Sequence, residues 1–178
     1  IEQRNQFILD IIGEIMLEPD RKMLILSDRI EHLKILKKLI DGMDIKYSCE
    51  FYIGGMKQKK LDEASEAQII LGSYGMASEG LDIPALNTLI MTTPRREVEQ
   101  SVGRIIRKND HTVQPLIIDI VDMLGCFVKQ GIYRRKLYKK LNYKIEVFDI
   151  ENSAIVSKME INNTEAVSMK AESCDFID

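Results

Sequence analysis

The sequence predicts an α/β fold: a parallel sheet of five to six strands with helices on both faces. Three observations predict it. Short apolar runs of strand length recur, and segments with apolar residues at helical spacing lie between them. MLILS at 23–27 shows no polar alternation, as expected of a strand buried on both faces of a parallel sheet. Small or hydroxyl residues close several runs, at the strand ends where open α/β sheets hold their ligands: Ser27, Gly54-Gly55, Gly72-Ser73 and Thr92-Thr93, with Asp122 after the last.

Each element has its own signal. Residues 1–18 put Phe7, Ile8, Ile11, Ile12, Ile15 and Met16 on one helical face, and Pro19-Asp20 ends that helix. After the strand at 23–27, Asp28 is the expected N-cap of a helix over 29–40. That helix turns Ile30, Leu33, Leu36, Leu39 and Ile40 inward, and Asp41-Gly42 stops it. A second strand is expected over 48–53, a short helix over 57–64 and a third strand over 68–71. One or two helical turns follow at 74–79, broken by Gly80. The fourth strand covers 87–91, and Thr92-Thr93-Pro94 leads into a helix from Arg95 to Arg107. Pro115 opens a fifth strand at 116–121, a long helix covers 124–141, and 144–150 is the candidate last strand. From Glu151 the chain is polar, acidic and weakly periodic: an appended strand or a partly disordered tail. The expected division is one domain over 1–150, led by the helix within 1–20, and an extension over 151–178.

Composition sets limits. At 178 residues the chain is one domain, or one with an appendage, and 45% apolar content supports a real core. No apolar run reaches the roughly 18 residues of a membrane span, so no membrane partner is expected. Cys49, Cys126 and Cys174 lie far apart without CxxC spacing, which reads as reduced thiols in an intracellular protein, cytoplasmic or nuclear. Two histidines, His32 and His111, offer no zinc-ligand set. A start at Ile1 suggests a processed chain or a fragment of a longer one. The net charge of −3 is unevenly spread. Residues 95–144 carry 12 Lys and Arg against 5 Asp and Glu, while 145–178 carry 2 against 8. A basic block inside an acidic chain is a local anion-binding surface or a solvated charged helix.

The helix after Pro94 is the sharpest feature. With about 100° per residue, Gln100, Arg104, Arg107 and Arg96 fall on one side, and Val98, Val102, Ile105 and Ile106 on the other. Gly103 sits beside the polar side and leaves room for close approach. Two arginines and a glutamine on one face make a planar donor array suited to phosphate oxygens.

These residues carry a resemblance. QSVGRIIRK (100–108) resembles motif VI, Q-x-x-G-R-x-x-R, of superfamily 2 helicases. GSYGMASEGLDIP (72–84) resembles their motif V. MLILSDRIEHLKIL (23–36) resembles motif IV, and YIGGMKQKK (52–60) the loop after the second strand, where the usual histidine is absent. The likeness covers about residues 20–122, with the motifs in order, and its flavour is similar to transcription helicases of large DNA viruses. Such proteins work in a virion or host cytoplasm.

The resemblance implies the C-terminal RecA-like half of an ATP-dependent nucleic-acid helicase or translocase. Arg107 is then the arginine finger, Arg104 its partner at the γ-phosphate, and Gln100 a third group at that interface. Gly80, Asp82 and Gly103 line the nucleotide side. DNA or RNA crosses Ser27, Gly54, Gly55, Ser73, Thr92 and Thr93, with charge from Lys57, Lys59 and Lys60. ATP and Mg2+ are held mainly by an N-terminal RecA-like domain. No G-x-x-x-x-G-K-[ST] exists here, and Asp62-Glu63-Ala64 follows QKKL rather than an apolar strand, so it reads as helix surface. The chain alone is therefore expected to be half an ATPase. The alternative is a non-catalytic RecA-like module that binds nucleic acid or a protein. A dinucleotide-binding enzyme is disfavoured, since no G-x-G-x-x-G follows a strand.

Overall fold

The computed structural model describes residues 2–43, 47–79, 81–105, 112–151 and 154–161. In chain order the elements are α1 (Glu2–Ile15), β1 (Met23–Ser27), α2 (Ile30–Asp41), β2 (Cys49–Tyr52), α3 (Gln58–Ser65), β3 (Ile69–Ser73) and α4 (Tyr74–Glu79). They continue with β4 (Thr88–Met91), α5 (Glu99–Ile105), β5 (Leu116–Asp119), α6 (Gly125–Lys140), β6 (Ile145–Glu151) and β7 (Ala154–Ile161). Two compact units result. One holds residues 1–93 and 97–120; the other holds 94–96 and the chain from 121 onward.

The first unit is a five-stranded sheet in the order β2-β3-β1-β4-β5, with every pairing parallel. Every residue of β1 and β4 is buried, which explains their unbroken apolar runs. Met23, Ile25, Ile69, Leu71 and Ile90 point to one face and pack with Ile8, Leu9, Ile12 and Met16 of α1 and Leu33, Leu36 and Ile40 of α2. On the opposite side α4 packs against β1 and β3, and α5 against β4. Helices thus cover both faces, as expected.

The boundaries of two helices shift. The N-cap of α2 is Arg29, not Asp28, and makes no side-chain cap bond. The Asp28 N–H donates to Thr93 Oγ1 at 2.8 Å, which draws that residue out of the capping position. Within α2, Leu33, Leu36 and Ile40 are buried, whereas Ile30 and Leu39 remain in solvent. The helix expected from Arg95 begins at Glu99, and residues 94–96 group with the second unit. There the Arg134 guanidinium donates to the Arg95 carbonyl, which fixes the backbone out of the helical path.

The second unit contains α6 and an antiparallel hairpin of β6 and β7. The last expected strand therefore exists but does not extend the parallel sheet to six. It pairs with 154–161, a segment whose polar composition left strand and tail open. The buried line of α6 is Gly131, Arg134 and Tyr138, with Phe127, Val128 and Ile132 half-buried beside it. Arg134 is 1% exposed, and Leu141 lies in solvent.

Candidate functional site

Register places the expected site residues on one ledge. Ser27 of β1 stands level with Ser73 of β3, and Leu26 with Met91 of β4, so Thr92 follows alongside Ser27. Tyr52 of β2 is level with Gly72, which sets Gly54-Gly55 one turn beyond Ser73. With about 4.8 Å between strands, the five strand ends span about 19 Å. The chain leaves β1 toward β2 on one side and β4 toward β5 on the other. The winding therefore reverses between β1 and β4, the position where open α/β sheets place their ligands.

The residues on this ledge fall into two groups. Ser27 and Thr92 are fully buried, which corrects their expected place on a ligand-facing surface. The Thr92 hydroxyl donates to the Leu26 carbonyl at 2.8 Å. Ser27 Oγ accepts from the Arg29 N–H at 3.1 Å and lies 3.3 Å from both the Arg29 carbonyl oxygen and His32 Nδ1, either of which can accept its proton. Buried hydroxyls need such partners, and these two tie the strand ends together. Thr93, Ser73, Gly54 and Gly55 lie nearer the surface. Thr93 Oγ1 receives the Asp28 N–H between the ends of β1 and β4, and the Thr93 carbonyl accepts from the Tyr74 hydroxyl at 3.0 Å. Ser73 Oγ accepts from the Met76 N–H at 3.4 Å. Gly55 has φ +81, a left-handed conformation that favours glycine, and a Cβ at either Gly54 or Gly55 would meet open space. Lys57, Lys59 and Lys60 are exposed just beyond this turn.

One group behind the ledge was missed from sequence. His32 Nε2 meets Asn5 Oδ1 at 3.0 Å, while Nδ1 faces Ser27 Oγ and lies 3.5 Å from Thr92 Oγ1. Arg4 of α1 donates to the Thr92 carbonyl at 2.5 Å. Burial, then the nearby charges of Arg4 and Arg29, hold the His32 pKa below the usual histidine value. The lowered pKa favours the neutral ring, and the contacts fit the tautomer in which Nε2 donates to Asn5 Oδ1 and Nδ1 accepts. No sequence signal joins residues 5, 27, 32 and 92; the parallel register sets Ser27 beside Thr92, and the packing of α1 on α2 brings Asn5 to His32.

Val98 just before α5 and Ser101 and Val102 on it are buried, while Gln100 and Gly103 are exposed. A Cβ on Gly103 would have nothing within 4 Å. The polar side of this helix therefore faces outward, with room for a ligand beside the glycine. Arg104 lies on the α5 backbone, but its side chain falls outside the described residues, as do Gly80 and Arg107. Asp82 is exposed between Leu81 and Ile83, both buried. Asp62 and Glu63 are exposed on α3 with Leu61 and Ala64 buried, as a helix surface should be. Among the described residues no cluster of three His, Cys, Asp or Glu could hold a metal, and no helix is long and apolar enough to cross a membrane.

Comparison with known proteins bears on this arrangement. Residues 3–109 match the family described as helicase conserved C-terminal domain. A candidate ATP-dependent RNA helicase of Acanthamoeba polyphaga mimivirus is 41% identical over 165 residues, covering 92% of this chain and 31% of that protein. The chain thus spans about a third of that relative. The C-terminal domain of the DEAD-box protein Dbp5 superposes with a TM-score of 0.61 at 11% identity, covering 79% of each chain. UvsW of phage T4 superposes with a TM-score of 0.60 at 18% identity, covering 79% of this chain and 33% of UvsW. Such low identities speak for the fold alone, and the fold is the RecA-like sheet of helicase C-terminal domains. With its order of strands, its motif-bearing loops and a family match across most of the sheet, the chain belongs to the helicase conserved C-terminal domain family of superfamily 2.

Proposed function

We propose that this chain is the C-terminal half of an ATP-dependent nucleic-acid helicase or translocase and supplies its arginine finger. The observation that carries the reading is the orientation of α5. Gln100 and Gly103 face solvent while Val98 and Val102 are buried, so the motif VI face is turned toward an incoming partner. Arg107 is the finger in this reading, Arg104 its neighbour at the γ-phosphate, and Gln100 a hydrogen-bonding group beside them. Asp82 and Gly80 flank the nucleotide. ATP supplies the transferable phosphoryl group, and an N-terminal RecA-like half holds it with Mg2+. This chain's share is fixed positive charge aimed at the γ-phosphate, where charge develops in the transition state.

Nucleic acid, DNA or RNA, lies on the strand-end ledge. Thr93, Ser73 and the Gly54-Gly55 backbone make the contacts, with Lys57, Lys59 and Lys60 adding charge. Contacts of this kind go to phosphates and carry no sequence information. The site of action is intracellular, in keeping with the widely spaced thiols and the viral relative.

The test uses a protein in which this chain follows its N-terminal half. Arg107→Ala lowers nucleic-acid-stimulated ATP turnover by roughly 10³-fold or more. Turnover equal to wild type overturns the finger assignment. The 178-residue chain alone hydrolyses no ATP; turnover by the purified chain contradicts the half-site.

A further inference from the structure

The helix α6 lies beyond the matched residues 3–109, and its two sides are unusual. Its inward line is Gly131, Arg134 and Tyr138. Its outward line is Lys129, Tyr133, Lys136 and Lys140, all exposed. At about 100° per residue these four fall within about 60° of one another, opposite the buried line. From Lys129 to Lys140 the stripe runs about 16 Å along the axis. The helix sequence, GCFVKQGIYRRKLYKK, holds no Asp or Glu. Lys129, Lys136 and Lys140 make no ion pair with any described residue.

Two contacts fix which side faces out. A Cβ on Gly131 would come within 2.8 Å of Val121 Cγ1, so the helix sits directly on the stiff Val121 side chain. The buried Arg134 guanidinium donates to the Arg95 carbonyl and holds the 94–96 segment against the helix. That hold brings the Arg96 guanidinium over the Tyr133 ring, 4.7 Å from its centroid. Tyr133 remains 43% exposed beside this cation. An aromatic ring flanked by guanidinium and ammonium groups in a line matches the chemistry of a single nucleic-acid strand. Lysines follow the phosphates, and the ring offers a surface for a base.

We propose that the Arg96, Lys129, Tyr133, Lys136 and Lys140 surface is a second binding track for single-stranded nucleic acid, separate from the strand-end loops. The inference rests on the reading that this protein acts on nucleic acid. Arg134 serves it as a positioning residue, through Arg95 and Arg96.

Fluorescence anisotropy with labelled single-stranded DNA and RNA of one sequence, across a salt series, tests the proposal on the whole chain. The triple variant Lys129→Ala, Lys136→Ala, Lys140→Ala weakens binding and lowers the slope of log affinity against log salt by about 2. Tyr133→Ala weakens binding about tenfold with the salt slope unchanged. Loss on one oligonucleotide alone identifies the sugar the track selects. If the stripe variants bind both strands as wild type does while Lys57→Ala, Lys59→Ala, Lys60→Ala binds less, the second track is overturned and the strand-end reading stands. If wild type binds neither strand, the track and the ledge both fall, and the Arg107 turnover test still stands on its own.

Discussion

The five-stranded sheet and the β6-β7 hairpin are built from strands of opposite character. The sheet's strands have four or five residues each, and those of the hairpin seven and eight. By length and ladder bonds the hairpin has more to hold it. Yet all five residues of β1 are buried, and of the eight in β7 only Ile161 is. Phe148, Ile155, Val156 and Met159 of the hairpin lie largely in solvent. Its charged residues form a small cross-strand set, Lys144 with Glu146 and Glu160, and Lys158 with Glu146. Exposed pairs of this kind are screened by water and salt and hold little. The difference teaches that removal of apolar surface from water, more than the hydrogen-bond ladder, decides which strands are firm.

Amide exchange offers the largest contrast. Amides of β1, β3 and β4 open only with the whole unit, whereas those of β6 and β7 open locally, so the rates differ by roughly 10³-fold or more. Equal protection in the two sheets breaks the comparison. Next come side-chain truncations followed by denaturant unfolding. Ile25→Ala, at a site with 0% exposure, costs about 2–5 kcal/mol, and Ile155→Ala, 62% exposed, costs about 0.5 kcal/mol or less. Gly131→Ala sharpens the picture within the second unit. Its new methyl group comes within 2.8 Å of Val121 Cγ1, a clash that costs about 1–3 kcal/mol.

Titration gives smaller effects. Burial pushes the Cys49 thiol up to about 12 from 9.0, with the Lys37 charge opposing. A raised native pKa means that its contribution is full below pH 9 and is lost as pH climbs toward 12. Cys49 therefore stays a protonated, unreactive thiol, while Cys126 is exposed. In a Cys174→Ser background a thiol reagent labels Cys126 in the native state and Cys49 only after unfolding. His32 has the opposite sign. Its native pKa lies below 6.5, so the unfolded chain takes up the proton first and stability declines as pH falls through 6.5. The melting temperature of wild type should drop more between pH 7.5 and 5.5 than that of His32→Gln.

Much of this was legible in the chain. The runs at 23–27, 68–71 and 87–91 announced buried parallel strands because both faces of each strand are covered. The motif-like segments at 72–84 and 100–108 singled out Ser73, Asp82, Gln100 and Gly103 as site candidates before any coordinates, and in the structure Asp82, Gln100 and Gly103 are exposed while Ser73 is half-buried. What escaped depended on distant partners. Ser27 and Thr92 looked like surface ligands because small hydroxyls close many strands, yet their partners, His32 and Leu26, are supplied by tertiary register. In the sequence Arg134 is one charge of a basic block; its burial and its bond to a carbonyl 39 residues away are visible only in the fold. The late start of α5 has the same origin. The segment 154–161 stayed open between strand and tail because its exposed faces carry no clean alternation.

The first helix has a practical consequence for anyone trimming the chain. A construction starting at Met23 would keep every strand of the parallel sheet. It would also strip Ile8, Ile12 and Met16 from the apolar face, orphan His32 Nε2 and leave the Thr92 carbonyl without Arg4. The sensible left-hand border for expression or grafting therefore lies at or before Glu2. A fusion that replaces α1 with a flexible tether would hand over a sheet whose working edge has lost its clamp.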